Sequence, residues 1–151
     1  MFLPSTRKQA RELLVKALYQ HAVSGTEINI IYQEFVANNN MDKVDTEFFK
    51  ELLYGIIEKL DEVDGAYTEY LDRETSRLDH ISRVILRIGS YELCFRIDIP
   101  YKVAINEAVN LAKKFGPTDT YKYINGILDM AALKKRAIEI NNEKHPKEST
   151  L

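Results

Sequence analysis

Asp79-His80-Ile81-Ser82-Arg83-Val84-Ile85-Leu86-Arg87-Ile88-Gly89-Ser90-Tyr91-Glu92-Leu93-Cys94-Phe95 decides the fold class. Asp79 is a helix cap, because a short carboxylate can accept from the free amides of a first turn. Ile81, Val84, Ile85, Ile88 and Phe95 then recur at steps of three and four, the α-helical period. Leu86 and Leu93 lie on the other side. A helix apolar over most of its girth belongs at the centre of a domain. Glu92 falls inside the apolar stripe, where a carboxylate needs partners. One reading is that it ties down the following link, Ile97 to Pro100, through hydrogen bonds. Catalysis would want a second acid nearby, and none is placed by the sequence.

Working outward, the same period recurs. Thr6 with Gln9 forms a capping-box pattern that opens a helix carrying Ala10, Leu13, Leu14, Ala17, Leu18 and His21. Ser24-Gly25 breaks it. Thr26 can cap a second helix with Ile28, Ile31, Tyr32, Phe35 and Val36, which ends at Asn38-Asn39-Asn40. Asp45 caps a third, with Phe48, Phe49, Leu52, Leu53, Ile56, Ile57 and Leu60; Tyr67, Tyr70 and Leu71 continue the pattern. This is either one long helix or two with a bend near Gly65. Past the central helix, Ile105, Ala108, Leu111, Ala112 and Phe115 mark another, stopped by Gly116-Pro117. Thr118 can cap a last helix with Tyr121, Ile124, Leu128 and Ala131 facing in. From about Ile140 the chain is polar and is expected to fray. No segment alternates as a strand does. The expectation is an all-α protein: one helical domain over residues 1–139 and a polar tail over 140–151.

Composition narrows the class. The chain has 151 residues, 45% of them hydrophobic, enough for one domain with a real core. Charged residues reach 29%, and no apolar run approaches membrane-spanning length. Phe2-Leu3-Pro4 precedes the first basic residues, the reverse of a signal peptide. Cys94 is the single cysteine, so an internal disulfide is impossible. A cytoplasmic protein is expected. His21, His80 and His145 are far apart, and no zinc-protease, nucleophile-elbow or phosphate-loop motif occurs. Neither a catalytic residue nor a metal or cofactor is expected. His21 reads as a hydrogen-bonded core histidine and Cys94 as a small core residue.

Charge is uneven despite a net of −2. Residues 1–20 carry four bases against one acid, and residues 42–79 carry twelve acids against five bases. The basic end permits a focused phosphate contact. Arg7, Lys8 and Arg11 crowd a helix start, where the helix dipole disfavours cations. That placement fits a need for phosphate binding, or merely a solvated end. At the last helix, Lys122 and Tyr123 fall outside the core stripe, a cation and a ring that can grip phosphate and stack a base. On the first helix Tyr19 lies about 170–180° from the core stripe at 100° per residue. With Val15 beside it, Tyr19 is expected to face water as a protein contact.

These pieces together resemble the NusB family. The resemblance rests on Val84-Ile85-Leu86-Arg87-Ile88 and Tyr91-Glu92-Leu93. It continues in Asp98-Ile99-Pro100-Tyr101-Lys102-Val103-Ala104-Ile105-Asn106-Glu107-Ala108-Val109 and Leu111-Ala112-Lys113-Lys114-Phe115-Gly116, then Asn125-Gly126-Ile127-Leu128-Asp129. Arg11-Glu12 and Ala17-Leu18-Tyr19-Gln20 fit as well, so that it spans roughly residues 7–133. The resemblance implies about seven helices in two sub-bundles. It implies a transcription antitermination factor that pairs with NusE, a small-subunit ribosomal protein, to bind boxA, a short single-stranded RNA. That pair would join RNA polymerase with NusA and NusG during ribosomal RNA synthesis. By position it implies RNA contacts at Arg7, Lys8, Arg11, Lys122 and Tyr123. It implies an affinity-moderating acid at Asp119 and partner contacts at Tyr19, with Ser82 standing where an acidic partner residue is expected. Gln9 and Ser82 depart from the family pattern, and Tyr123 replaces the more usual phenylalanine. Two other readings remain open. NusB-like domains also precede some ribosomal RNA methyltransferases, but those chains are longer and carry a cofactor domain. A helical protein-binding module, a homodimer when free, would bind no RNA.

Overall fold

Asp45 and Asp79 act as read: Asp45 Oδ1 accepts from the Phe48 amide at 3.0 Å, and Asp79 Oδ2 from the Ser82 amide at 2.9 Å. Two helix starts are therefore set by local chemistry. The computed structural model describes residues 4–72 and 78–144. Among them are eight α-helices and one 3₁₀ turn at Thr68–Tyr70. The helices are α1 (Pro4–Ser24), α2 (Ile28–Asn38), α3 (Thr46–Glu58), α4 (Leu60–Gly65), α5 (His80–Phe95), α6 (Tyr101–Phe115), α7 (Thr120–Lys135) and α8 (Ala137–Lys144). The described residues contain no strand. No helix among them is long and apolar enough to cross a membrane.

Helices α1, α2 and α3 pack as one group, and α5, α6 and α7 as another, with α1 laid against α5 along the seam. The two sub-bundles are joined by α5, which touches α1, α3, α4, α6 and α7. Its burial follows from its sequence: Val84, Ile85, Leu86, Ile88 and Leu93 are all sealed from solvent. Gly89 permits the close approach of α7, since a Cβ there would meet Leu128 Cδ1 at 2.8 Å.

Several boundaries differ from expectation. α1 starts at Pro4, two residues before Thr6, as suits proline in a first turn. Its end holds: Gly25 adopts φ 70°, a left-handed turn that an L side chain resists. The second helix starts after Glu27 rather than at a Thr26 cap. The Thr26 carbonyl instead accepts from His21 Nδ1 at 2.8 Å, so His21 is hydrogen-bonded and only half-buried. The α3–α4 bend falls at Lys59, not Gly65. Its ammonium lies 4.7 Å from the Phe95 ring centre and 6.0 Å from that of Tyr91. Asp119, not Thr118, precedes α7, at φ 66° and without a side-chain cap.

Of the expected polar tail, only residues 140–144 are described. Residues 140–144 continue α8, and Ile140 is 6% exposed in the core. Residues 145–151, His145 among them, lie outside the described residues. The link after α5 is held by Arg136 rather than by the Glu92 carboxylate. Arg136 donates to the carbonyls of Glu92, Leu93 and Arg96 at 3.0, 2.8 and 2.8 Å. Its Nη1 also pairs with Glu139 at 2.6 Å, and Glu139 accepts from the Tyr101 amide at 2.9 Å. One buried guanidinium thus closes the end of α5 and, through Glu139, the start of α6.

Candidate nucleic-acid interface

The three cations at the opening of α1 divide two ways: Arg7 and Arg11, four positions apart, share a face and both stand 5.0 Å from the Phe48 ring centre, while Lys8 is turned 100° from Arg7. Arg7 is half-buried over the Phe48 ring, 5.0 Å from its centre, with Nε 3.4 Å from Asp45 Oδ2. Arg11 is only 3% exposed. Its Nη2 and Nε donate to the two Glu92 carboxylate oxygens at 2.7 and 2.9 Å, and Nη1 reaches Glu107 at 3.4 Å. Burial pulls the Arg11 guanidinium down, but the Glu92 hydrogen bond and charge outweigh it, and the group sits above its ordinary value. Arg11 is therefore a structural ion, and its reading as a direct RNA contact is corrected. Its partner also accounts for Glu92: the carboxylate answers Arg11 across the α1–α5 seam.

Lys8 is the cation of this group that faces solvent in a cleft. The cleft, about 440 Å³, runs between α1 and α6, and Asn110, Lys113 and Lys114 line its far wall. Lys113 Nζ stands 5.0 Å from the centre of the Tyr121 ring, and Lys122 Nζ stands 5.9 Å from the same ring. Cation, ring and cation thus lead from the end of α6 to the start of α7. The short connector through Gly116 and Pro117 makes this adjacency. Lys113, Lys114 and Tyr121 were not singled out from sequence as site residues. The available signal was that connector, which forces the last turn of α6 beside the first turn of α7.

Tyr123 and Asp119 meet elsewhere, in a smaller cleft of about 280 Å³ at the heads of α5 and α7. Tyr123 is half-buried, and its hydroxyl accepts from the Asp72 amide at 3.3 Å. Ser82 also lines this cleft but is itself fully buried, with no hydrogen-bond partner for its hydroxyl among the described residues. An exposed partner contact at Ser82 is thus corrected, since its side chain is turned inward while Asp79 and His80 beside it are exposed. Val15 is corrected too: it is 1% exposed, because α1 is contacted by α2, α3, α5 and α6 and has a wider core side than one stripe. Tyr19 does face solvent at 40% exposure, its ring edge-on to His80 at 6.2 Å.

Against this geometry, known proteins are informative. A profile of the NusB family matches residues 8–133. The chain belongs to the NusB family. It is 41% identical over 145 residues to the transcription antitermination protein NusB of Alcanivorax borkumensis, covering 96% of each chain. It is 46% identical over 129 residues to that of Haemophilus influenzae, covering 85% of this chain and 90% of the other. The solved structure of T. maritima NusB superposes with a TM-score of 0.77 at 32% identity, covering 92% of this chain and 99% of that one.

NusB membership makes this chain a transcription antitermination protein, a regulatory class that works with the transcription machinery. Within the NusB fold, no group of three or more histidine, cysteine or acidic side chains is placed for a metal among the described residues. Cys94 is half-buried rather than in the core, and burial pushes its thiol up, away from the reactive thiolate.

Proposed function

We propose that this chain binds single-stranded boxA RNA as a heterodimer with NusE, and so holds NusA, NusG and RNA polymerase in an elongating complex that ignores early terminators. The observation that carries this reading is the unbroken path Lys8–Lys113–Tyr121–Lys122, which joins the starts of two helices far apart in sequence. Cations spaced along an aromatic suit a flexible strand, whose phosphates repeat and whose bases can stack. Lys8 and Lys122 act as phosphate contacts, Arg7 flanks them, and Tyr123 offers its ring at the edge of the neighbouring cleft. Asp119, exposed at the head of α7, repels phosphate and moderates affinity. Tyr19 and His80 form an exposed aromatic pair beside that cleft and suit a protein partner.

The test is a titration of fluorescent boxA RNA with this protein, with NusE, and with both. The expected result is tighter binding by the pair than by either alone. Equal affinity with and without NusE would remove the partnership. Three or four phosphate contacts give log affinity against log salt a slope of roughly −2 to −3 for single strands. A slope near zero would remove the electrostatic basis of the reading.

A further inference from the structure

The α1–α6 cleft contains an ion pair that the path above leaves unused. Lys114 Nζ lies 2.6 Å from Glu12 Oε1. The two ends differ: the Lys114 side chain is 57% exposed and that of Glu12 only 16%. Below them Arg11 is already answered by Glu92 and Glu107, so it has little attraction left for an anion. Lys8 and Lys113, on either side, have no acid partner among the described residues. The cleft therefore holds two cations ready for an anion and a third occupied by an internal carboxylate.

We infer that this cleft is a second phosphate seat of the RNA face, and that Glu12 is its gate, holding Lys114 until a backbone phosphate takes the carboxylate's place. The inference deepens the RNA reading and rests on it. A lysine is a point charge on a flexible stem, so Lys114 can turn from Glu12 to a phosphate without moving the helix. The exchange is close to balanced, because the Lys114 end of the pair is open to water, which weakens it. Glu12, held by the wall of the cleft, cannot follow. Its charge stays to oppose the phosphate, so the seat fills only when neighbouring contacts on Lys8 and Lys122 have brought the strand in. Asn110 adds a neutral donor on the same wall.

The experiment measures boxA RNA binding to the complex with NusE, by anisotropy over a range of potassium chloride. Glu12→Gln is expected to tighten binding about two- to fivefold, the worth of one ion pair with a solvated end. Lys114→Ala is expected to weaken binding and to flatten the salt slope by about 0.7, one phosphate fewer on a single strand. In the double variant the gain from Glu12→Gln is expected to vanish, because no lysine remains to be released. A gain that persists without Lys114 would mean that Glu12 acts only as bulk negative charge, and the gate is overturned. Lys122→Ala, run alongside, separates the two levels. If Lys122→Ala weakens binding while the Glu12 and Lys114 variants do nothing, the seat fails and the RNA reading stands. If none of the variants changes binding, both fail. Thermal unfolding of each variant guards against a loss of fold, which this surface pair is not expected to cause.

Discussion

Lys8 and Arg11 stand three positions apart on one helix, yet they belong to different parts of the molecule. Arg11 enters the seam between the two sub-bundles and is matched there by Glu92 and Glu107. Lys8 faces the cleft and has no acid partner among the described residues. The sequence presents them as members of one basic cluster, and the fold divides them into a structural ion and a free one. What separates them is the neighbour each meets. Arg11 meets a carboxylate 81 residues away in the chain, on the most buried helix of the domain. A cation count at a helix start is therefore an upper bound on the cations that can meet phosphate.

The sharpest way to break this division is to remove one partner on each side. Glu92→Ala leaves the buried Arg11 charge with only its longer contact to Glu107 at 3.4 Å, and is expected to destabilise the fold by about 3 kcal/mol, read as a lowered urea midpoint. Lys8→Ala is expected to leave that midpoint unchanged and to weaken RNA binding instead. If the two variants exchanged these effects, the assignment of the two cations would be inverted.

A second test uses pH on the interior. The Tyr67 phenol is raised to about 12, first by burial and then by its hydrogen bond to Asp64. Burial and the Glu51 charge likewise raise Tyr91 to about 12. The unfolded chain releases these protons near pH 10, and the folded chain keeps them. Their contribution is thus full below pH 10 and is lost as pH rises from 10 to about 12. For Tyr67 the loss is expected to be about 3 kcal/mol. Absorbance of phenolate against pH, with stability measured in parallel, checks it. Tyr67→Phe is expected to remove the Tyr67 share of the alkaline fall and to leave that of Tyr91.

The smallest effect on the fold is expected on the exposed side. Tyr19→Asp places a charge where the ring already meets water. Helicity and melting temperature are expected to stay put while NusE binding in a pull-down or by calorimetry falls at least tenfold, on the scale of a lost interface anchor. A collapse of helicity would show that the Tyr19 ring supports the fold through His80 and is no part of a docking surface.

How much of this was legible depended on the range of the interaction. The caps at Asp45 and Asp79, the break at Gly25 and the central place of α5 are local or periodic, and they read directly from the chain. Tyr19 read correctly because a helical wheel places a residue opposite a core. Val15 did not, because a wheel assumes one buried stripe, whereas α1 packs against four helices. Arg11 was misjudged because nothing in its own neighbourhood reveals Glu92. Lys113 and Lys114 gain a role only where the fold sets α1 opposite α6. Cleft walls drawn from positions about a hundred residues apart carry no pattern that a window of ten or twenty residues can show.

The Arg136 lock has a consequence for how each copy of the protein is made. The carbonyls of Glu92, Leu93 and Arg96 emerge from the ribosome some forty residues before the guanidinium that answers them. While translation covers that stretch, the most deeply buried helix of the nascent chain has an unfinished end. A transcript cut short before codon 136 would yield a polypeptide with most of its apolar residues and no means of sealing them, suited to quality-control proteases rather than to regulation.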